Sequence, residues 1–372
     1  MTSTRTRLAL LGSTGSIGRQ TLDVVRALPE RFEVVGLAAG RNRELFGAQA
    51  AEFRPEHTSL GDGSGLTLEE MAVLPEADLV IIATSGTAGM KATHAAARAG
   101  KVIALANKES LVAAGELITA EMTRSGAKLL PVDSEHSAIW QCLNGEPAPR
   151  RIYLTASGGP FRTFTREQIA AVTPEQALAH PSWTMGPKVT VDSASLLNKG
   201  LEVIEARWLF DVPVDQVTVL VHPQSIVHSM VEFADGSIKA QLGFPDMRLP
   251  IQYALTWPER VPNHELPALD WAKVSSLTFE APDTERFPCL RLAIEAGKRG
   301  GTYPAVLCAA GEAAVERFLD KRVPFGAIPA IIETALARHY GTAHPSFDDI
   351  LAADEWGRAT AAELAEEGSW GS

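Results

Sequence analysis

Two clusters of ionisable side chains stand directly after apolar runs of the sequence. The segment DSEH at 133–136 follows the run 128–132, and the segment NKES at 107–110 follows the run 101–106. If its segment is extended, Asp133 and Glu135 point to the same side, and two carboxylates on one side can bind a hard cation such as Mg2+ or Mn2+. Acidic residues are also typical of the first turn of a helix. Taken alone, this pair favours helix capping over a metal site.

A third carboxylate that could complete a metal site lies in the segment 191–202, VDSASLLNKGLE. The pattern predicts one helix over 194–210, in which Asn198 and Glu202 are four residues apart and share a face. Two further polar residues flank this face, Lys199 one step round and Ser193 near the N-terminal end. The face would offer a carboxylate to a metal and an amide to an anion. An ordinary amphipathic helix with a solvated polar side is the alternative, and this segment alone favours it.

The glycine-rich segment GSTGSIG at 12–18 lies between the apolar run 8–11 and a helical pattern at 21–27. Such a turn lets the main chain approach a pyrophosphate, and the helix N-terminus adds N–H donors and a favourable dipole. After the second apolar run, Arg41 and Arg43 stand where an NAD-binding protein would carry an acidic ribose ligand. Two arginines there fit the additional 2′-phosphate of NADPH. A tight turn with two solvated arginines is the alternative, and the strand context favours NADPH.

Two further segments carry groups that are typical of ligand binding. TASGGP at 155–160 is a second glycine-rich turn after a predicted strand, and its hydroxyl and N–H groups could hold a phosphate; a plain turn is the alternative. HPSWTMGPK at 180–188 combines a histidine and a large aromatic residue with a flexible glycine. Such residues on a loop are more typical of a lid over a site than of a buried core.

The elements that must position these groups follow from the apolar pattern. Unalternated runs of Val, Ile, Leu and Ala, with helical patterns between them, predict a parallel, doubly wound sheet with strands at 7–11, 32–38, 79–83, 102–106 and 129–132. Further runs predict a second sheet with strands at 151–155, 216–221, 229–233 and 237–242, and Asp235-Gly236 predicts a hairpin. A Pro-rich connection at 258–288 precedes helical patterns at 290–298, 305–319 and 328–339.

The predicted fold class is therefore α/β, with an N-terminal doubly wound, Rossmann-like NADPH domain, a central α+β catalytic domain and a C-terminal helical bundle. The predicted boundaries are 1–148 for the NADPH-binding domain and 149–265 for the catalytic domain, which contains the flap 180–189. A linker at 266–288 and a helical domain at 289–372 follow.

Composition narrows the class of protein. A chain of 372 residues with 45% hydrophobic and 21% charged residues predicts two or three globular domains. The net charge of −11, without a basic patch, argues against nucleic acid or anionic membranes as partners. Cys142, Cys289 and Cys308 lack C-x-x-C spacing, which fits a reducing compartment. Because the sequence shows no signal-peptide pattern and no long apolar stretch, we expect a cytoplasmic protein with a small-molecule substrate.

Eight motifs occur in one order along nearly the whole chain: GSTGSIG, LANKES, PVDSEH, TASGGPF, HPSWTMG, VDSASLLNKGLE, HPQSIVHSM and PDMRLP. In this order they resemble the 1-deoxy-D-xylulose 5-phosphate reductoisomerase family. The resemblance implies a homodimeric enzyme of the non-mevalonate isoprenoid pathway that uses NADPH and a divalent metal (Mn2+, Mg2+ or Co2+). It also implies that the domain 149–265 mediates dimerisation. The enzyme would rearrange its ketose phosphate by retro-aldol and aldol steps and reduce the branched aldehyde phosphate to 2-C-methyl-D-erythritol 4-phosphate.

The resemblance also implies roles for individual residues of the matching motifs. The metal ligands would be Asp133, Glu135 and Glu202. The catalytic residues would be Lys108, Glu135, His136 and His228. The substrate would be bound by Lys108, Ser134, Glu135, Ser157, His180, Trp183, Ser193, Asn198, Lys199 and Glu202, and Trp183 and Met185 would belong to the closing flap. NADPH would be bound by Thr14, Gly15, Ser16, Ile17, Gly40, Arg41, Asn42, Asn107, Glu109 and Gly186.

Two departures from the family pattern and two other classes of protein bear on this interpretation. The chain reads CAAGE at 308–312 where the family usually has NAANE, and Arg41 stands where the family often has lysine.

An aspartate-semialdehyde-type dehydrogenase would need a nucleophilic cysteine with a base beside it, and Cys142 lies in a helical pattern without that context. A non-catalytic NADPH-sensing regulator would not need Asp133, Glu135 and Glu202 together.

Overall fold

The computed structural model describes residues 5–84, 86–179 and 185–368. Its strands are β1 (Thr6–Leu11), β2 (Phe32–Ala39), β3 (His57–Leu60), β4 (Leu79–Ile82), β5 (Val102–Leu105), β6 (Lys128–Pro131), β7 (Arg151–Ala156), β8 (Val217–Val221), β9 (Val227–Glu232) and β10 (Ile238–Leu242). Its α-helices are α1 (Ser16–Ala27), α2 (Arg43–Phe53), α3 (Leu68–Ala72), α4 (Met90–Arg98), α5 (Lys108–Ser125), α6 (Ser134–Leu143), α7 (Arg166–Ala170), α8 (Pro174–Ala177), α9 (Pro187–Ala194), α10 (Leu197–Phe210), α11 (Arg248–Thr256), α12 (Pro288–Arg299), α13 (Tyr303–Leu319), α14 (Ala327–Arg338) and α15 (Phe347–Glu367). None of the helices within these ranges is both long enough and apolar enough to cross a membrane.

The first sheet has six parallel strands in the order β3-β2-β1-β4-β5-β6. This confirms the predicted doubly wound α/β fold, in which ligands bind beyond the carboxyl ends of the strands where the order reverses. The reversal lies between β1 and β4. β3 was not predicted, because its sequence HTSL contains only one apolar residue and it forms an edge of the sheet.

The second sheet has the order β10-β9-β7-β8, with β7 and β8 parallel and the other pairs antiparallel. The predicted hairpin is confirmed, since β9 and β10 pair across a turn in which Gly236 has a φ of +85°. The hydroxyl and N–H of Ser237 both donate to Asp235 Oδ1 and hold the turn. One face of this sheet lies against α10, which therefore carries its polar residues at a fixed place relative to β7 and β8.

The single helix predicted over 194–210 is wrong, because α9 ends at Ala194 and α10 begins at Leu197. Leu196 between them has a left-handed φ of +60°. The hydroxyl of Ser195 donates to the Asp192 carbonyl and accepts from the N–H of Leu197 at 3.3 Å. A serine that binds nearby main-chain groups competes with the helical hydrogen bonds, which accounts for the break. Ser193 consequently belongs to α9, not to the helix that carries Asn198.

Contacts between elements divide the chain into two units. The first unit comprises Met1–Ser110, Glu116–Trp140 and Asp246–Leu269, and the second comprises Leu111–Gly115, Gln141–Pro245 and Asp270–Ser372. The segment Asp246–Leu269 joins the first sheet because Ile251, Ala254 and Leu255 of α11 are buried in the same apolar core as β1 and α1. Here the structure differs from the sequence-based boundaries, which placed residues up to 265 with the second sheet.

The segment predicted as a linker, 266–288, lies mainly on the second unit. Glu280 forms an isolated antiparallel bridge with Val221 of β8, and Trp271–Lys273 forms a short 3-10 turn. Three of the C-terminal helices were predicted with nearly these bounds, whereas α15 was not. Most of the residues that α15 buries are small, and the Cα of its Gly357 lies close enough to α13 that an added Cβ would be 3.2 Å from Val306.

Candidate active site

The glycine-rich turn between β1 and α1 has the main-chain geometry of a dinucleotide-binding loop. Gly12 has a φ of +97°, and a Cβ added there would lie 2.4 Å from the carbonyl oxygen of Ala83. A Cβ added to Gly18 would lie 2.2 Å from the carbonyl oxygen of Gly12. Only glycine fits either position. The helix begins at Ser16, so the N–H groups of its first residues, which include Ser16 and Ile17, have no acceptor within the helix and lie next to Thr14 and Gly15 of the turn.

The two arginines after β2 have different surroundings. Arg43 forms an ion pair with Asp62 at 2.5 Å, and Asn42 caps α2 by accepting from the N–H of Leu45. Arg41 is exposed and makes no ion pair with any residue that the structure describes. An added Cβ on Gly40 would meet nothing within 4 Å, so there is open space beside Arg41. Of the two arginines, Arg41 is therefore the one available to a 2′-phosphate.

Asn107 is buried at the junction between β5 and α5 and binds three main-chain groups. Its Oδ1 accepts from the N–H of Ser110 at 3.0 Å, and its Nδ2 donates to the carbonyls of Thr84 (3.0 Å) and Gly86. The side chain thus joins the loops that follow β4 and β5. Since its amide is occupied inside the protein, a contact of Asn107 with NADPH would come from its main chain or its carbon atoms. Glu109, next to it, is buried in the first turn of α5.

Lys108 and Asp133 form a buried ion pair at the carboxyl ends of β5 and β6. Lys108 Nζ lies 2.5 Å from Asp133 Oδ2, and the two side chains are only 10% and 13% exposed. Neighbouring parallel strands place these residues together although they are 25 positions apart in the sequence. An ammonium and a carboxylate held at this edge of a dinucleotide-type sheet are suited to binding a polar substrate.

The segment that contains Asp133 and Glu135 is helical, so the predicted extended conformation is wrong. α6 begins at Ser134, and Asp133 precedes it, accepting from the N–H of Ser134 with Oδ1 and from the N–H of Ser137 with its carbonyl. The physical reason is that acidic residues favour a helix N-terminus, which was the alternative to the metal site in the sequence analysis. Ser134 donates to Glu135, and His136 is fully buried with Nδ1 3.9 Å from Asp133 Oδ2.

Asn198, Lys199 and Glu202 form a buried cluster on α10 in the second unit. Asn198 Nδ2 donates to Glu202 Oε1, which confirms that the two residues share a face, and Lys199 Nζ forms an ion pair with Glu202 Oε2. Lys199 and Glu202 are 4% and 1% exposed. The alternative of a solvated polar side is therefore wrong for this face. A buried carboxylate is costly unless it is paired, and Lys199 and Asn198 are the partners of this one.

The turn after β7 packs directly against α9. Gly158 and Gly159 have φ of +85° and +69°, and a Cβ added to Gly159 would lie 2.9 Å from the carbonyl oxygen of Ser193. The N–H of Gly159 donates to the hydroxyl of Ser157 at 3.2 Å. The structure thus brings Ser157 and Ser193 to adjacent stretches of main chain, which no local sequence pattern revealed.

Two of the predicted flap residues, His180 and Trp183, lie outside the described residues. Met185 and Gly186 follow them, and Gly186 caps α9 by accepting from the N–H and hydroxyl of Thr190. Lys188 of the first turn of α9 forms an ion pair with the buried Asp192 at 2.7 Å. His228 is buried in β9, and its carbonyl accepts from the hydroxyl of Thr155 at 2.7 Å.

The cysteines do not have the surroundings of nucleophiles. Burial raises the pKa of the Cys142 thiol to about 11 and that of Cys289 to about 12. Since the thiolate is the nucleophile, both residues are unreactive near neutral pH. The structure therefore gives no support to a semialdehyde-type dehydrogenase that works through either cysteine.

Protein-family models match most of the chain. The 1-deoxy-D-xylulose 5-phosphate reductoisomerase model matches residues 8–68 and 63–115, the C-terminal domain model of the same enzyme matches 129–210, and the DXP reductoisomerase C-terminal domain model matches 242–360. The curated 1-deoxy-D-xylulose 5-phosphate reductoisomerase of Pelotomaculum thermopropionicum is 52% identical over 373 residues, covering 94% of this chain and 96% of that protein. That of Heliobacterium modesticaldum is 54% identical over 384 residues, covering 97% and 98%.

Solved structures of the same enzyme have the same fold. The Zymomonas mobilis reductoisomerase in complex with NADPH aligns with a TM-score of 0.88 at 44% identity, covering 98% of this chain and 100% of that one. A reductoisomerase in complex with NADPH, fosmidomycin and magnesium aligns with a TM-score of 0.90 at 37% identity, again covering 98% and 100%. Agreement in sequence and in fold over the whole length leads to one conclusion: the chain belongs to the 1-deoxy-D-xylulose 5-phosphate reductoisomerase family.

Proposed function

We propose that the chain converts 1-deoxy-D-xylulose 5-phosphate to 2-C-methyl-D-erythritol 4-phosphate with NADPH, the committed step of the non-mevalonate isoprenoid pathway. The observation that carries the proposal is the buried pair of Lys108 and Asp133 at the carboxyl edge of a sheet whose first turn has dinucleotide-binding geometry. Full-length similarity to reductoisomerases supports the same activity.

The main chain of the first unit is suited to binding NADPH. The backbone at Gly12 and Gly18 leaves no room for a side chain, the first N–H groups of α1 suit the pyrophosphate, and Arg41 suits the 2′-phosphate. The other proposed contacts are Thr14, Gly15, Ser16, Ile17, Gly40, Asn42, Asn107, Glu109 and Gly186. When bound, NADPH supplies the hydride for reduction of the aldehyde.

A divalent metal fits the carboxylates by the chemistry of the donor set. We assign Asp133, Glu135 and Glu202 as ligands, because three hard oxygen donors suit Mg2+, Mn2+ or Co2+, and Asp133 and Glu202 each form an ion pair with a lysine. When bound, the metal supplies Lewis-acid polarisation of the substrate oxygens. Lys108 compensates the charge of Asp133 and orients a substrate hydroxyl.

The second unit supplies the binding energy for the phosphate end of the substrate. Ser157 and Ser193 lie on adjacent main chain, and Asn198 and Lys199 project from the first turn of α10. Remote binding of a phosphate can hold reacting groups in place during the retro-aldol and aldol steps. The remaining proposed contacts are Ser134 with the substrate backbone, His180 and Trp183 on the flap, which excludes water, and His136 and His228 in the pocket wall.

The proposal is tested by mixing the purified protein with NADPH, Mn2+ and 1-deoxy-D-xylulose 5-phosphate and following nicotinamide absorbance. We expect oxidation that requires both the sugar phosphate and the metal, so that a sample treated with a chelator is inactive until metal is restored. Tight NADPH binding without oxidation would instead support a regulator or a different phosphorylated substrate.

Replacement of Arg41 by glutamate is expected to raise the Kd for NADPH about tenfold to a hundredfold and to leave the Kd for NADH nearly unchanged, because a charged hydrogen bond to phosphate contributes about 1.5 to 3 kcal/mol. Titration of nicotinamide fluorescence measures both constants. Arg43→Gln is the matched control: its guanidinium already pairs with Asp62, so NADPH binding should stay within about threefold. Equal losses in both variants would contradict the assignment of Arg41.

We also propose that the chain forms a homodimer through the second sheet. β10 is an edge strand, its first three residues are exposed, and Ile238 and Phe244 are 52% and 45% exposed. An exposed edge with apolar side chains is suited to pairing with a second copy of the chain.

The buried free thiols and the need for NADPH are consistent with a protein that works in the cytoplasm.

A further inference from the structure

His222, to which the sequence motifs assign no role, lies fully buried between β8 and β9. Its Nδ1 is 2.8 Å from the carbonyl oxygen of Thr278, which can only accept, so Nδ1 carries the proton. Its Nε2 then accepts from the N–H groups of Ile226 at 3.2 Å and Val227 at 3.1 Å. These hydrogen bonds select the neutral imidazole with the proton on Nδ1.

The same residue joins three segments of the second unit. Its main-chain N–H donates to the carbonyl of Ala156 at the end of β7 at 2.7 Å. Its ring binds the start of β9 through Ile226 and Val227, and it stacks on Phe279 with ring centroids 4.7 Å apart and an angle of 17°.

Two of the three segments carry residues of the proposed substrate site. Ser157 directly follows Ala156, and His228 directly follows Val227. The buried hydroxyl of Thr155 donates to the carbonyls of Val227 at 2.8 Å and His228 at 2.7 Å. The main chain at Val227 and His228 is therefore bound both by the ring of His222 and by the hydroxyl of Thr155.

The third segment reaches the turn that contains Ser157 by a separate route. Glu280 pairs with the main chain of Val221, and its carboxylate lies 2.8 Å from the guanidinium of Arg162. The Cδ of Arg162 would be 2.7 Å from a Cβ added to Gly158. A displacement of the segment 278–280 would consequently displace the turn that contains Ser157.

We propose that His222 is a positioning residue that sets the place of His228 and of the Ser157 turn for the sugar phosphate. The proposal rests on the proposed function, since it assumes that these two residues meet the substrate. It adds that a neutral imidazole, with an acceptor at Nε2, is required at this position, while the imidazole itself does not meet the substrate.

Two amide substitutions separate the two ring nitrogens. In His222→Gln the side-chain oxygen can reach the position of Nε2 and still accept from Ile226 and Val227; in His222→Asn the amide nitrogen can still donate to Thr278, but the two N–H groups lose their acceptor. Because a buried donor left without an acceptor costs about 1 to 3 kcal/mol, we expect His222→Asn to raise the KM for the sugar phosphate about tenfold, with an unchanged Kd for NADPH. His222→Gln should stay within about threefold of the wild type.

Controls remove the ambiguity between positioning and general stability. His339, a half-buried histidine bound to Thr302 at 2.7 Å outside the substrate segments, is the matched control, and His339→Gln should lower the Tm without changing the KM. Thr155→Val keeps the shape but lacks the hydroxyl that holds Val227 and His228, and should raise the KM without any change at His222. If His222→Asn does not fold, the KM values of Thr155→Val and His222→Gln test the proposal instead. A raised KM in Thr155→Val with a nearly unchanged KM in His222→Gln would support it, and an unchanged KM in Thr155→Val would contradict it.

Hydrogen exchange gives a readout that does not need activity. We expect peptides covering 226–232 and 157–165 to lose protection in His222→Asn and to keep it in His222→Gln. Equal kinetics and equal exchange in the Asn and Gln variants, or losses of activity that only follow the Tm, would overturn the proposal. An inactive wild type with the expected exchange pattern would refute the proposed function, and with it the role of His222 toward the sugar phosphate, but would still support that His222 holds the segments 226–232 and 157–165 in place.

Discussion

Glu202→Gln and Asp133→Asn are each expected to reduce kcat/KM about a thousandfold while NADPH binding stays intact. Each change removes one charged oxygen ligand of the proposed metal, and Lewis-acid stabilisation of developing charge is worth several kcal/mol, at about 1.4 kcal/mol for each tenfold. In Glu202→Gln, Lys199 additionally loses its buried partner. Steady-state kinetics, Mn2+ titration and nicotinamide fluorescence measure the three quantities separately.

The matched control for this prediction is Glu295→Gln. Glu295 is an exposed carboxylate that pairs with Arg291 at 3.0 Å on α12, so its loss should change neither metal affinity nor turnover. Wild-type turnover in Glu202→Gln or in Asp133→Asn, at limiting Mn2+, would refute the assignment of the metal ligands. A loss of NADPH affinity in Asp133→Asn would show that folding of the first unit, which contains Asp133, had been changed.

Lys108→Met is expected to lower kcat about a hundredfold without weakening Mn2+ binding. The ammonium is buried against Asp133 and would orient a substrate hydroxyl; a charged hydrogen bond of this kind contributes about 1.5 to 3 kcal/mol. Methionine keeps the length of the side chain but removes the charge. Because Asp133 then loses a competing cation, Mn2+ affinity should be unchanged or higher, which separates this variant from Asp133→Asn.

Lys101→Met tests whether the effect of Lys108→Met arises from loss of any partly buried lysine near the first sheet. Lys101 Nζ donates to the main-chain carbonyl of Ala77 at 3.0 Å, and burial lowers the pKa of its ammonium, so this substitution should reduce stability. It should leave kcat within about threefold. Weaker Mn2+ binding in Lys108→Met would indicate that the lysine supports the carboxylate rather than the substrate.

The strands of the first sheet could be predicted because strands that are buried on both faces are apolar throughout. β1, β2, β4, β5 and β6 each contain a run of apolar residues, whereas β3, with the sequence HTSL, contains only one apolar residue. The glycine turns could be predicted for a similar local reason. Gly12 and Gly159 adopt positive φ, a conformation that favours glycine, and this choice of residue is visible in the sequence.

Where a local competition decided the structure, prediction failed. The residues from Ser134 onward could be extended or helical, and acidic residues at the start of this segment, such as Glu135 in the first turn, favour the helix. The pattern 194–210 continues through Ser195, whose hydroxyl nevertheless replaces helical hydrogen bonds and ends α9. In both cases the apolar spacing is compatible with either outcome, and local interactions of polar side chains decide.

The sequence by itself determined the α/β class, the dinucleotide turn, the family and the identity of the ionisable groups, because these depend on local patterns and on motifs in a fixed order. Only the tertiary structure decided that Lys108 pairs with Asp133, that the Ser157 turn rests on Ser193, that α11 belongs with the first sheet, and that His222 joins three segments. The physical reason is that these contacts join residues far apart in the chain, and such contacts leave no periodic signal in the sequence around either partner.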